Sequence, residues 1–359
     1  MIAAWYRDLY KIGSTAGATA VVLRVAVAVG IPLIGGVYLG HPHAAVAGGA
    51  TALFVTFSDI GQTPRIRLAT MVAGWAAIVA GGTLGHFLGA TPYGKEIVVL
   101  LCALVAGWAS GSHPGVAAIT RFFAVAAAAG TGMHFGDSDV MLSVAVGGAT
   151  AFASGFLVWG WFRIPSDDNL MDWHAGVRRA CRGTDAGIRF TVCYGAAAAV
   201  ALFAASSLRV NDSFWATLVV IMVMRHEGLV SLELTIHYVV GTIVGVLLGA
   251  AILQLGESAI TLAVLATLVA ALARVGMAVN PALGFMAFTM FLLFAVHATL
   301  ASDGGTAPHL LETRLYDVTV GCAIALVGTL AATYPRFTPP QKHGEDDDSA
   351  PARPGEGRG

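Results

Sequence analysis

Charge is what this chain has least of. Asp, Glu, Lys and Arg together make up 11% of its 359 residues, where a soluble domain carries roughly 25%. Hydrophobic residues make up 57%. A water-soluble core has no room for so much apolar surface, so the lipid bilayer is the expected solvent and first partner. The formal net charge is −1, which gives no reason to expect nucleic acid. Cysteine is scarce as well. Cys102, Cys181, Cys193 and Cys322 form no CxxC pair, and three of them fall in apolar runs. They read as small buried hydrophobes, with no metal or redox role.

Other absences narrow the function. No GxxxxGK[ST] loop is present, so the chain is not expected to hydrolyse ATP itself. No nucleophile–base constellation suggests an enzyme, and no cofactor is implied. His41 and His43 flank Pro42, but two histidines do not make a metal site without further ligands. The first apolar run, 18–40, is long enough to span and has no small-residue cleavage site after it, so a cleaved signal peptide is not expected.

What is present is a repeat. Gly61 and Gly228 stand 167 positions apart, as do Gly74 and Gly241, Gly82 and Gly249, and Pro114 and Pro281. A repeat in a polytopic membrane protein points to two halves facing each other across a pathway. Apolar runs predict twelve spans, over 18–40, 43–58, 67–89, 96–112, 115–133, 140–162, 187–208, 213–227, 234–255, 259–274, 281–298 and 312–334. The expected fold is all-α, with about 12 transmembrane helices as two parallel six-helix repeats. The first repeat covers 1–163 and the second 187–336. A polar, basic cytoplasmic linker at 164–186, with room for one surface-lying helix, joins them. The tail 337–359, with its Glu345–Asp348 acid run, reads as disordered. Gly241, Gly245 and Gly249, and the shorter Gly85/Gly89 pair, are packing faces that let helix backbones approach.

Charge orients the chain. With the N-terminus inside, about fifteen of the 20 Lys and Arg lie on the cytoplasmic side, among them Arg65, Arg67, Arg178, Arg179, Arg225 and Arg274. Outer loops carry Asp137, Asp139, Asp212, Glu257 and Asp303 instead. The expected location is the plasma (cytoplasmic) membrane, multi-pass, with both termini cytoplasmic.

In the second half, Ser213-Phe214-Trp215-Ala216 opens a span that ends in Arg225-His226-Glu227-Gly228. The spaced glycines follow, and the last span begins Arg314-Leu315-Tyr316-Asp317-Val318-Thr319-Val320-Gly321. This pattern resembles the fusaric acid resistance (FUSC) family, also called the aromatic acid exporter family, with plant aluminium-activated malate channels as distant relatives. The resemblance is best over 187–335 and weaker over 18–162. It implies outward movement of small organic, especially aromatic, carboxylates. The large cytoplasmic domain of many members is replaced here by the short linker. A homo-oligomer and an accessory periplasmic subunit both stay open, as do a passive organic-anion channel and a non-transporting scaffold docking through Arg178–Arg182.

Charges inside spans cost about 2.5–3.5 kcal/mol each near the bilayer centre, so they tend to face a partner or a watery cavity. Arg24 and Arg189, 165 positions apart, read as paired arginines of an inner vestibule or as side chains reaching headgroups. Arg121, behind His113-Pro114-Gly115, has Phe288 as its repeat counterpart. These three arginines are the substrate-binding candidates, since a planar guanidinium holds a carboxylate through two hydrogen bonds. His237, Arg314 and Asp317 are the proton-coupling or gate candidates. Arg314 and Asp317 share a helix face, which suits a salt bridge. Pro114 and Pro281 read as first-turn prolines or as midplane breaks. His86 and His134 are lesser proton candidates. Asp59, Arg65 and Arg67, with Arg225, Glu227 and Glu233, read mostly as interfacial charges that pair loop to loop.

Overall fold

The computed structural model describes residues 18–60, 64–91, 93–132, 137–161, 173–182, 186–207, 214–254, 258–302 and 310–333. Every regular element among them is an α-helix. In chain order these are α1 (Ala18–Tyr38), α2 (Pro42–Phe57), α3 (Pro64–Gly89), α4 (Gly94–Ala109), α5 (Pro114–Gly130), α6 (Ser138–Trp161), α7 (Trp173–Arg182), α8 (Gly187–Ser207), α9 (Phe214–Val223), α10 (Gly228–Leu253), α11 (Ala259–Val279), α12 (Pro281–Ser302) and α13 (Leu310–Thr333). Eight are long and apolar enough to cross a membrane: α1, α3, α6, α8, α10, α11, α12 and α13. The protein is an all-α, multi-span membrane protein. Helices α2, α5 and α9 are apolar but shorter, and α9 has only 10 residues. Gly61, His134, most of the 164–186 linker and both terminal segments lie outside the described residues.

The packing repeats along the chain. Helix α1 lies against α2 and α6, and α2 against α6; α8 lies against α9 and α13, and α9 against α13. Helix α5 sits between α3 and α4, and α12 between α10 and α11. The contacts between the two sets match too, α4 on α8 and α11 on α1, then α5 on α9 and α12 on α2. The short amphipathic α7 is tied to the end of α4, where Trp108 Nε1 donates to the Ala180 carbonyl at 2.8 Å. Its Arg178, Arg179 and Arg182 are exposed.

Both prolines start helices. Pro114 is the first residue of α5 and Pro281 of α12, positions where the missing N–H costs nothing. Side chains close the turns before them. His113 Nδ1 accepts from Gly115 N at 3.1 Å, and Asn280 Oδ1 from Ala282 N at 2.9 Å.

These two helix starts are recessed. Helices α10 and α12 cross where Gly241 and Gly245 lie against the Ala282 and Met286 carbonyl oxygens. At 1.5 Å per residue, α12 therefore begins roughly 15–18 Å along α10. Helices α3 and α5 cross where Gly81 and Gly85 lie against the Phe123 and Ala127 carbonyls, so α5 begins only roughly 8–12 Å along α3. The α11–α12 turn thus stops short of the start of α10, leaving space beside it. The repeat-matched Gly74 has a different job from Gly241, since a Cβ there would strike the Ser58 side chain of the α2–α3 connection.

Candidate functional site

Two cavities lie between the helix sets. The larger, about 300 Å³, opens under the recessed α12 start. Its cations are Arg225, from the α9–α10 connection, and Arg274, on α11. Its aromatic lining includes Phe57, Tyr238 and Phe285, and Pro281 is part of its wall. The smaller, about 60 Å³, lies toward the start of α9 and is lined by Phe214, Trp215 and Leu218 among others. Phe54, Phe122 and Phe288 border both cavities. Their rings nearly touch, with Phe54 centred 5.2 Å from Phe122 and 6.1 Å from Phe288. They form an aromatic constriction between a wide chamber and a narrow one.

The wide chamber carries positive charge. The positive end of α12 faces it, because Pro281 lines it and begins that helix. Arg225 uses one nitrogen on the Met224 carbonyl at 2.9 Å. The Arg274 guanidinium lies over the Phe57 ring, 5.4 Å from its centroid. Stacking of this kind steadies a guanidinium face and leaves its edge for a planar acceptor. Arg121 adds positive charge behind this wall. It is near enough to Arg225 for the two to repel, with the buried Tyr194 between them. The Tyr194 hydroxyl donates to the Ile221 carbonyl at 2.7 Å.

A second cluster sits beside the chamber. Asp59 is held by both Arg24 and Arg67: Arg24 Nη1 bonds Oδ2, and Arg67 Nε and Nη2 bond Oδ1 at 2.7 Å and Oδ2 at 2.5 Å. Arg24 also reaches Met71 Sδ at 3.1 Å. Gly155 on α6 leaves the room its guanidinium fills. Burial alone raises the Asp59 carboxyl, but the arginines outweigh it and hold the group below its ordinary value. Arg274 is near enough to feel the same carboxylate. The reading of Asp59 and Arg67 as a loop pair agrees with this geometry, but Arg24, 35 residues away, completes it.

The six sequence candidates do not meet at one point. Arg24 is buried in the Asp59 cluster, whereas Arg189 is exposed on α8. Arg121 is half-buried, with Nη2 3.5 Å from Ser110 Oγ. His237 is buried within α10. Arg314 and Asp317 are buried together at the start of α13, but the Arg314 guanidinium donates no hydrogen bond. It stacks on Trp215 instead, 4.7 Å from the ring centroid. Arg225 and Arg274 were readable in sequence only as inner-side positive charge. Among the described residues, no group of three His, Cys, Asp or Glu side chains gathers to hold a metal ion.

Residues 198–328, a little over a third of the chain, match the family model described as fusaric acid resistance protein-like. The match is in keeping with a membrane protein of transport type and not an enzyme. None of the curated proteins and none of the solved structures matches the chain.

Proposed function

We propose that the protein is a membrane transporter that exports small organic or aromatic carboxylates by a proton-coupled secondary mechanism. In this reading the two helix sets are parallel six-helix repeats, 1–163 and 187–336, joined by the cytoplasmic linker 164–186. They rock around the chamber between them. The observation that carries the reading is the wide chamber, whose lining combines Arg225, Arg274 and the α12 start with aromatic rings. Its size sits at the small end of ligand pockets, about 300–1,000 Å³, which suits a single-ring acid. The carboxylate is taken by Arg225 and Arg274, and the ring by the Phe and Tyr walls. Arg121 and Arg189 draw the anion inward, and Arg24 holds the wall in place through Asp59. His237 or Asp317 takes the proton. Both termini and the linker face the cytoplasm, as the positive-inside distribution indicates.

The test is flux from proteoliposomes loaded with a panel of carboxylates, with and without a pH gradient. The expected result is movement of aromatic acids that rises several-fold with the gradient and falls in Arg225→Gln and Arg274→Gln. No carboxylate flux under either condition overturns the proposal. Flux or current independent of the gradient rejects proton coupling and selects a passive anion channel.

A further inference from the structure

We infer that Arg314 is a second anion-binding residue, a station between the wide and the narrow chamber. This rests on the transport reading above and adds a site to it. Arg314 is 5% exposed, and its Nε, Nη1 and Nη2 have no hydrogen-bond acceptor. A buried guanidinium with no acceptor is costly, and natural interiors rarely leave one so without a use. Its face is satisfied by Trp215 and its edge is not. A guanidinium stacked on one face with a bare edge presents its fork to a planar carboxylate.

The position supplies the second argument. Trp215 is part of the narrow chamber's wall, and Tyr238 is part of the wide chamber's wall. Arg314 lies against the first ring and within electrostatic reach of the second residue's hydroxyl. It therefore sits behind the partition that Phe54, Phe122 and Phe288 complete. Tyr238 is fully buried, with its ring 4.6 Å from that of Phe285, whereas Trp215 is only half-buried. Trp215 is thus the ring that turns aside, and the anion reaches the Arg314 edge from the narrow chamber. Asp317 is the acidic neighbour in this pocket. It is buried beside Arg314 at the start of α13 and lowers the net charge there. An anion leaving Arg225 and Arg274 would otherwise meet no charged group in the narrow chamber, whose wall is apolar apart from Thr51. A cation one step further removes that barrier.

Benzoate binding to the purified full-length protein in detergent, measured by titration calorimetry, tests this. Wild type is expected to bind two benzoates. Arg314→Gln should bind one, Arg274→Gln should lose the other, and Arg314→Lys should keep two, with one weakened about 10-fold by loss of the fork. A benzoate-dependent change in tryptophan emission should vanish in Trp215→Phe. That variant keeps an aromatic ring and so guards against a fold failure in the arginine variants. One benzoate in wild type, unaffected at Arg314 and with no Trp215 signal, overturns this inference and leaves the transport reading intact. No benzoate bound by wild type overturns both.

Discussion

The α2–α3 and α9–α10 connections stand 167 positions apart in the sequence, and they treat charge in opposite ways. Ser58 and Asp59 correspond by the 167-residue offset to Arg225 and His226. In the first connection a buried carboxylate gathers two arginines and neutralises part of their charge. In the second there is no acid at the matching position, and Arg225 faces the chamber with a hydrogen bond to the Met224 carbonyl. The first arrangement ties helices together. The second leaves hydrogen-bonding capacity that an incoming anion can use. Where a carboxylate is supplied by the chain, the arginines are structural; where it is missing, the proposed function has the ligand supply it.

Substitutions separate the two roles. The largest effect is expected from Asp59→Ala, which strands Arg24 and Arg67 in a buried site. Removing one partner of such a pair costs about 3–5 kcal/mol, read as a lower thermal midpoint in detergent and a lower folded yield. If Asp59→Ala leaves the midpoint unchanged, the structural reading of that cluster fails. Arg274→Gln and Arg225→Gln should do the reverse. Each should cut carboxylate flux by roughly 10- to 100-fold, the worth of a charge-assisted hydrogen bond of about 1.5–3 kcal/mol, while the midpoint stays close to wild type.

Smaller effects test the packing on which the comparison rests. Gly85→Val places side-chain atoms against the Ala127 carbonyl and should cost about 1–3 kcal/mol. Gly35→Ala, whose Cβ meets nothing, should be close to neutral; equal losses at the two sites would mean that the α3–α5 contact is not tight. The smallest effect is with pH. Because Asp59 is held below its ordinary value of 3.8, its contribution to stability is present above that value and lost only as pH falls through the lower folded value. The thermal midpoint should therefore show no Asp59-dependent change between pH 7 and 5, and a loss only below about 3.8.

Much of the fold is legible in the apolar runs. The run 115–133 became Pro114–Gly130, and 259–274 became Ala259–Val279. The first-turn reading of Pro114 and Pro281 agrees with the helix starts. The site is less legible, because its charges look alike in sequence. Arg67, Arg225 and Arg274 all read as inner-side positive residues, and the hydrogen bonds to Asp59, eight residues before Arg67, distinguish the first from the other two. Arg24 and Arg189 nearly match by the repeat, yet one is buried and the other exposed. Arg24 has Asp59 to accept its charge, and the corresponding position 226 is a histidine. The Arg314–Asp317 spacing suggested a helix-face pair. No helical spacing could announce Trp215, which comes from another helix nearly a hundred residues earlier.

The single-residue joint at Asn280 has a mechanical meaning. Helices α11 and α12 meet there with no slack, and Gly276 lies against the Gly284 backbone just above the joint. The pair is a rigid lever that carries Arg274 on one arm and the α12 N-terminus on the other. In the proposed cycle a bound carboxylate travels with both of these contacts. In the same proposed cycle Arg225, on a separate connection, is the grip that closes at loading and lets go at release.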